Sequence, residues 1–255
     1  MSKGDTDLSR ARGSKAQLKR QQQNTNLENT IDFRTSQQQT PRSRSIDIVP
    51  KTRAQERLLI SLLDPSTYIS VAVGPAGTGK SYLATLTALK SLRQGRCDRI
   101  VLTRPAVGVE DERHGFLPGD LVKKMEPWTR PLLDIIKEFY HPREVARMID
   151  DEIIEISPLA FMRGRTFKNA WIVADEMQNA TPNQLKMLMT RIGEGSRIVI
   201  TGDIEQTDKS LANNGLQDLA SRLRSNPVSG IALSELTPRD TQRHAIINTV
   251  LELYR

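Results

Sequence analysis

The apolar residues of this chain gather into short β-branched runs, separated by polar-rich segments with a helical period. Tyr68–Val73, Arg99–Thr103, Glu152–Ile156, Ala170–Ala174, Ser196–Thr201 and Ser229–Leu236 each read as a core strand. Between them, Thr52-Arg53-Ala54-Gln55 is a capping-box pattern that opens a helix to about Leu63. Tyr82–Lys90 keeps helical period. A further amphipathic segment carries Leu132, Leu133, Ile135 and Ile136, with Pro127 and Pro131 breaking or kinking its start. Residues 143–150 read as a short helix, and Thr181 with Pro182 marks the N-cap and first residue of another. Asp208 is placed as the cap of a helix reaching about Arg224, and the last helix spans about Thr241 to Leu253. Strands alternating with helices predict an α/β fold with a mostly parallel sheet and helices on both faces. Such sheets place their active groups at the carboxyl ends of the strands.

Residues 1–45 break this pattern. They hold glutamine patches at Gln21–Gln23 and Gln37–Gln39 and few apolar residues, such as Leu8, Leu18 and Leu27. A disordered tail is expected, followed by one folded domain over 46–255. Nine Lys and Arg against four Asp and Glu give the tail +5 of the chain's net +7. The arm is either a loose contact for a polyanion or simply a solvated tail.

Apolar residues make up 37% and charged residues 26% of the 255. No apolar run approaches the roughly 20 residues of a membrane span, and no apolar signal-peptide core opens the chain, so a cytoplasmic protein is expected. Cys97 is the single cysteine. It excludes an intrachain disulfide and a cysteine-based zinc site.

The chemistry concentrates in three stretches. Gly74-Pro75-Ala76-Gly77-Thr78-Gly79-Lys80-Ser81 satisfies every fixed position of the P-loop pattern and lies between a predicted strand and the helix opening with Tyr82. Its glycines let backbone N–H groups approach a phosphate, and the helix N-terminus adds positive potential there. Lys80 is placed to reach the β- and γ-phosphates of ATP, and the Ser81 hydroxyl to ligate Mg²⁺. The second stretch is Asp175-Glu176 after four apolar residues. It places Asp175 as a second Mg²⁺ ligand and Glu176 as the general base. The third is Gly202-Asp203-Ile204-Glu205-Gln206, where Gln206 is a candidate partner for the γ-phosphate or the attacking water. Gln55 has two candidate jobs, capping its helix or reading an adenine edge. Arg163, Arg165, Arg191 and Arg243 are candidates for the arginine that neutralises the transferring phosphoryl group.

Over residues 46–255 these stretches resemble the PhoH-like proteins. The resemblance rests on Gly74–Ser81, Leu102–Val107, Gly115–Asp120, Pro158–Thr166, Asp175–Asn179 and Thr201–Asp208. It implies a RecA-like P-loop NTPase core similar to that of superfamily 1 helicases. ATP and Mg²⁺ are the implied cofactors, and RNA or single-stranded DNA the implied partner. It further implies that Gln55 reads adenine, that Thr103-Arg104-Pro105 contacts nucleic acid, and that Arg243 is the finger. The stretch Gly108–His114 departs from the family pattern. One motor domain in the chain leads to the expectation of a homo-oligomer, a hexameric ring, with Arg243 acting in trans. Two functions compete: an ATPase coupled to nucleic acid, or a nucleotide-switched binding protein that hydrolyses slowly.

Overall fold

The structure, a computed structural model, describes residues 45–105, 129–206, 214–242 and 246–253. The predicted basic tail, Gly108–His114, the loop Gly115–Asp120 with Pro127, the cap Asp208, and Arg243 lie outside the described residues.

The described elements, in chain order, begin with α1 (Arg53–Leu63), β1 (Ile69–Val73), α2 (Lys80–Arg93), β2 (Arg99–Thr103), α3 (129–137) and α4 (Pro142–Asp150). Next come β3 (Ile154–Ile156), β4 (Ala170–Ala174), α5 (Pro182–Met189), β5 (Arg197–Gly202), α6 (Gly215–Ser225), β6 (Ile231–Glu235) and α7 (Ile246–Leu253). Three-residue and four-residue 3₁₀ turns sit at Leu159–Met162, Met177–Asn179 and Pro238–Asp240. The six strands form one parallel sheet in the order β3-β2-β4-β5-β1-β6.

The continuous apolar strands are explained by burial on both faces. Ala72, Ile100, Leu102, Trp171, Val173 and Val199 pack with α1 through α4 on one side. Val71, Val73, Val101, Ile172, Ile198 and Ile200 pack with α5 and α6 on the other. Leu58 and Leu62 of α1 and Leu86 and Leu89 of α2 are fully buried, each contributing about 1.5–3 kcal/mol by its removal from water. The three-layer α/β architecture expected from sequence is therefore present.

Two helix starts differ from expectation. The helix expected from Asp208 begins at Gly215, where the Asn214 side chain accepts from the Gln217 N–H at 3.0 Å. Thr241 does not open the last helix. It follows the Pro238–Asp240 turn, and the described helix runs Ile246–Leu253. Asp240 accepts from the Thr237 N–H and hydroxyl. Hydrogen bonds from the Thr52 side chain and the Thr237 backbone hold its carboxyl below the usual carboxylate range.

Cys97 is buried before β2. Burial, reinforced by the Asp98 charge, pushes its thiol up to about 11. At pH 8 the thiolate fraction is then on the order of 0.1%. The native protein is expected to react with a thiol-specific chromogenic disulfide only on unfolding, and stoichiometric labelling within minutes in buffer would contradict that burial.

Candidate functional site

Strand order assembles the site. β5 lies between β1 and β4, so the residues leaving β5 emerge between the P-loop that leaves β1 and Asp175 that leaves β4. β2 flanks β4 on its other side, with Thr103 in register with Ala174. All of these carboxyl ends open into a cavity of about 340 Å³ whose lining includes Lys80, Ser81, Arg104, Asp175, Glu176 and Gln206.

The P-loop is held from three directions. Gly74, at φ 149°, lies against the end of β6: a Cβ there would sit 2.4 Å from the Leu236 carbonyl oxygen. The Ala76 N–H donates to Asp203 Oδ2 at 3.0 Å, and Gly74 N–H to the Gly202 carbonyl at 3.3 Å. From α1, Gln55 Nε2 donates to the Thr78 carbonyl at 2.9 Å, and a Cβ at Gly79 (φ 86°) would meet that same amide at 3.1 Å. Gln55 Oε1 accepts from the Lys51 N–H at 2.7 Å. Only half of the expected capping box forms, with Thr52 Oγ1 accepting from the Gln55 N–H. The Gln55 amide is buried beside the P-loop and braces it through the Thr78 carbonyl.

Lys80 opens α2 and donates to the Gly74 carbonyl at 2.6 Å and the Pro75 carbonyl at 2.7 Å. Ser81 Oγ donates to Asp175 Oδ1 at 2.7 Å, across 94 residues of chain. Thr201 of β5 donates to the same oxygen, and Arg104 pairs with Oδ2. Asp175 is 2% exposed, so three polar partners compensate the loss of water. Ser81 and Asp175 fit a Mg²⁺: two oxygen donors, one anionic, side by side. Among the described residues no cluster of three or more His, Cys, Asp or Glu is arranged for a metal, so this pair would need phosphate and water oxygens to complete the shell.

Glu176 has left-handed backbone angles, φ 56° and ψ 35°, a costly conformation for a non-glycine residue. It turns the side chain, 48% exposed, into the cavity. Gln178, which the sequence offered no reason to single out, donates from Nε2 to Glu176 Oε2 at 2.6 Å and accepts at Oε1 from the Asp203 N–H at 3.2 Å. It thus links the ends of β4 and β5. Gln206 lines the same cavity, with its N–H on the Asp203 carbonyl. Tyr82 projects from α2, half-exposed, and donates to Glu138.

The finger candidates separate. Arg165 pairs with Glu155 and stacks on Phe167, 4.5 Å from the ring centre. Arg191 donates to the Met187 and Arg165 carbonyls. Arg163 is exposed, and none of these three lines the cavity. Arg243 is outside the described residues; Gln242 before it donates its N–H to the Gly77 carbonyl at 2.9 Å. Arg104, grouped by resemblance with nucleic-acid contacts, is turned inward onto Asp175.

A family model described as PhoH-like protein matches residues 47–255. This chain belongs to the PhoH-like family. It is 45% identical over 187 residues to a PhoH-like protein of Synechocystis, covering 73% of this chain and 56% of the relative. A PhoH-like protein of Mycobacterium tuberculosis is 42% identical, with 81% and 58% covered. Protein PhoH of Escherichia coli is 35% identical, with the same coverage. The chain therefore spans somewhat over half the length of these relatives. Among solved structures, Pif1 helicase from Candida albicans aligns at TM-score 0.38 and 16% identity, over 81% of this chain and 44% of that one. A Sulfolobus solfataricus SWI2/SNF2 ATPase core in complex with dsDNA aligns at 0.38 and 12%, over 61% and 32%. Among the described residues no helix is long and apolar enough to cross a membrane.

Proposed function

We propose that this PhoH-like domain binds ATP with Mg²⁺ and hydrolyses it, coupled to RNA or single-stranded DNA, as a homo-oligomer. The observation that carries the reading is the contact of Ser81 with Asp175, made by two motifs far apart in sequence beside Lys80. On binding, Lys80 moves its ammonium from the Gly74 and Pro75 carbonyls to phosphate oxygens, while the P-loop N–H groups and the α2 N-terminus hold the β-phosphate. Ser81 and Asp175 would hold a Mg²⁺, which when bound would supply charge neutralisation on the phosphate oxygens. Glu176, fixed by Gln178, takes a proton from a water whose oxygen attacks the terminal phosphorus as the bond to ADP breaks. Gln206 orients that water. The net +7 charge favours a polyanionic partner.

The test is ATP turnover with and without Mg²⁺, RNA and single-stranded DNA, at two salt concentrations. Turnover that requires Mg²⁺ and rises with nucleic acid, less so at high salt, is expected. Tight ATP binding with no turnover would instead favour the nucleotide-switched binder, and no ATP binding would remove the reading. In the same assay, a chain lacking residues 1–45 should keep its melting temperature and basal turnover. It should bind nucleic acid more weakly and with a flatter salt dependence, because +5 of the charge has gone. A large fall in melting temperature would show that the tail is part of the fold.

A further inference from the structure

Arg104 stands where a Mg²⁺ ligand and the catalytic base meet. Its guanidinium pairs with Asp175 Oδ2 and lies 4.0 Å from Glu176 Oε1. It is the one arginine lining the nucleotide cavity among the described residues. The placement follows from the sheet: Thr103 is in register with Ala174, and the Asp175 N–H donates to the Thr103 carbonyl at 3.0 Å, so the residue that follows β2 must emerge beside Asp175. The side chain is 13% exposed, and its Nε is buried with no hydrogen-bond partner.

A surface ion pair would not look like this. The two other partners of Asp175, the Ser81 and Thr201 hydroxyls, share Oδ1 and leave Oδ2 to Arg104. A Mg²⁺ held by Ser81 and Asp175 Oδ1 would bring a second cation to the carboxylate that Arg104 already neutralises, and the two repel each other across it. A released guanidinium has two acceptors within reach. Glu176 is already held by Gln178, and pairing it with a cation would remove its basicity. The terminal phosphate of a nucleotide lying between Lys80 and Glu176 is the other acceptor, with oxygens that match a guanidinium fork.

We propose that Arg104 is a metal-displaced catalytic arginine. It neutralises Asp175 while no cation is there; when Asp175 turns to Mg²⁺, Arg104 moves to the terminal phosphate and supplies, in cis, the positive charge that the transferring phosphoryl group needs. The inference rests on the nucleotide site proposed above and adds a residue to it. It also makes Mg²⁺ affinity and triphosphate recognition two ends of one exchange.

The test is binding rather than turnover alone. Mg²⁺ is titrated at fixed ADP, and the affinities for Mg²⁺-ADP and for a Mg²⁺-bound non-hydrolysable ATP analogue are compared, in wild type and Arg104→Gln. Removing the competitor should lower the half-saturating Mg²⁺ with ADP by about fivefold or more. Removing the phosphate contact should at the same time erase most of the preference for the triphosphate and slow hydrolysis by about a thousandfold. A merely structural loss would weaken both nucleotides together. Half-saturating Mg²⁺ that stays unchanged or rises, or an intact triphosphate preference, would overturn the proposal. Should Arg104→Gln fail to fold, the wild-type protein still decides it by nitrogen NMR. The arginine Nε–H signal absent from Arg104→Lys should shift on adding Mg²⁺-ADP and again with Mg²⁺-ADP-beryllium fluoride, and a signal that does not move refutes the exchange. If wild type and Lys80→Ala bind nucleotide alike, the site reading itself falls. If binding needs Lys80 but the Arg104 signature is missing, only this inference falls.

Discussion

Lys80→Ala should lose nucleotide binding while keeping the fold. Each charge-assisted contact from an ammonium to a phosphate is worth about 1.5–3 kcal/mol, or roughly ten- to a hundredfold in affinity. Lys80 is placed to make two of them, to the β- and γ-phosphates. Its ammonium is held by the Gly74 and Pro75 carbonyls, and it lies at the first position of α2 rather than in either apolar layer. Alanine is a good helix former, so α2 should persist. The measurement is calorimetric or fluorescence titration with ATP, set beside circular dichroism and a melting curve. Wild-type affinity in a well-folded Lys80→Ala protein would end the P-loop assignment.

The second large effect is at Glu176. Glu176→Gln keeps the side-chain length and still offers Gln178 an oxygen to hydrogen-bond, so the cavity should be unaltered. Gln also tolerates the left-handed backbone at this position about as poorly as Glu does, which makes stability a small term in the comparison. What disappears is the group that accepts the proton. ATP and Mg²⁺ binding should survive, and hydrolysis should slow by at least about a hundredfold, the usual contribution of a general base. Single-turnover hydrolysis with ATP pre-bound isolates that step. Normal turnover would make Glu176 a structural strand-end residue and assign water activation to another group.

Much of the layout was legible in the sequence for one physical reason: local patterns report local requirements. A strand buried on both faces has to be apolar throughout, so β1, β2, β4 and β5 were visible as continuous runs. A phosphate loop must combine glycines with a lysine and a hydroxyl at set spacing, so Gly74–Ser81 could be read directly. Asp175 and Glu176 were marked by following such a run. Helix caps were less secure. Thr181 was right because its box with Gln184 is complete within four residues. Asp208 was not, because Asn214 is an equally good cap and Gly215 packs at the Thr181 backbone, where a Cβ would come within 2.6 Å. Residue type alone could not choose between two caps when the deciding contact is tertiary.

The sequence by itself determined the α/β layering, the phosphate loop, and the identity of the residues that can carry the chemistry. Only the tertiary structure decided which of them meet. Arg104 reaches Asp175 across 71 residues, Asp203 holds the P-loop at Ala76 across 127, and Gln55 braces Thr78 from a helix that precedes the loop. The first two contacts follow from the strand order β2-β4-β5-β1, and the third from the packing of α1 beside the P-loop; no local pattern connects these residues. Side-chain type states what a group can do. The neighbour that competes for its charge or its hydrogen bonds decides what it does, and that neighbour is chosen by the packing of the sheet.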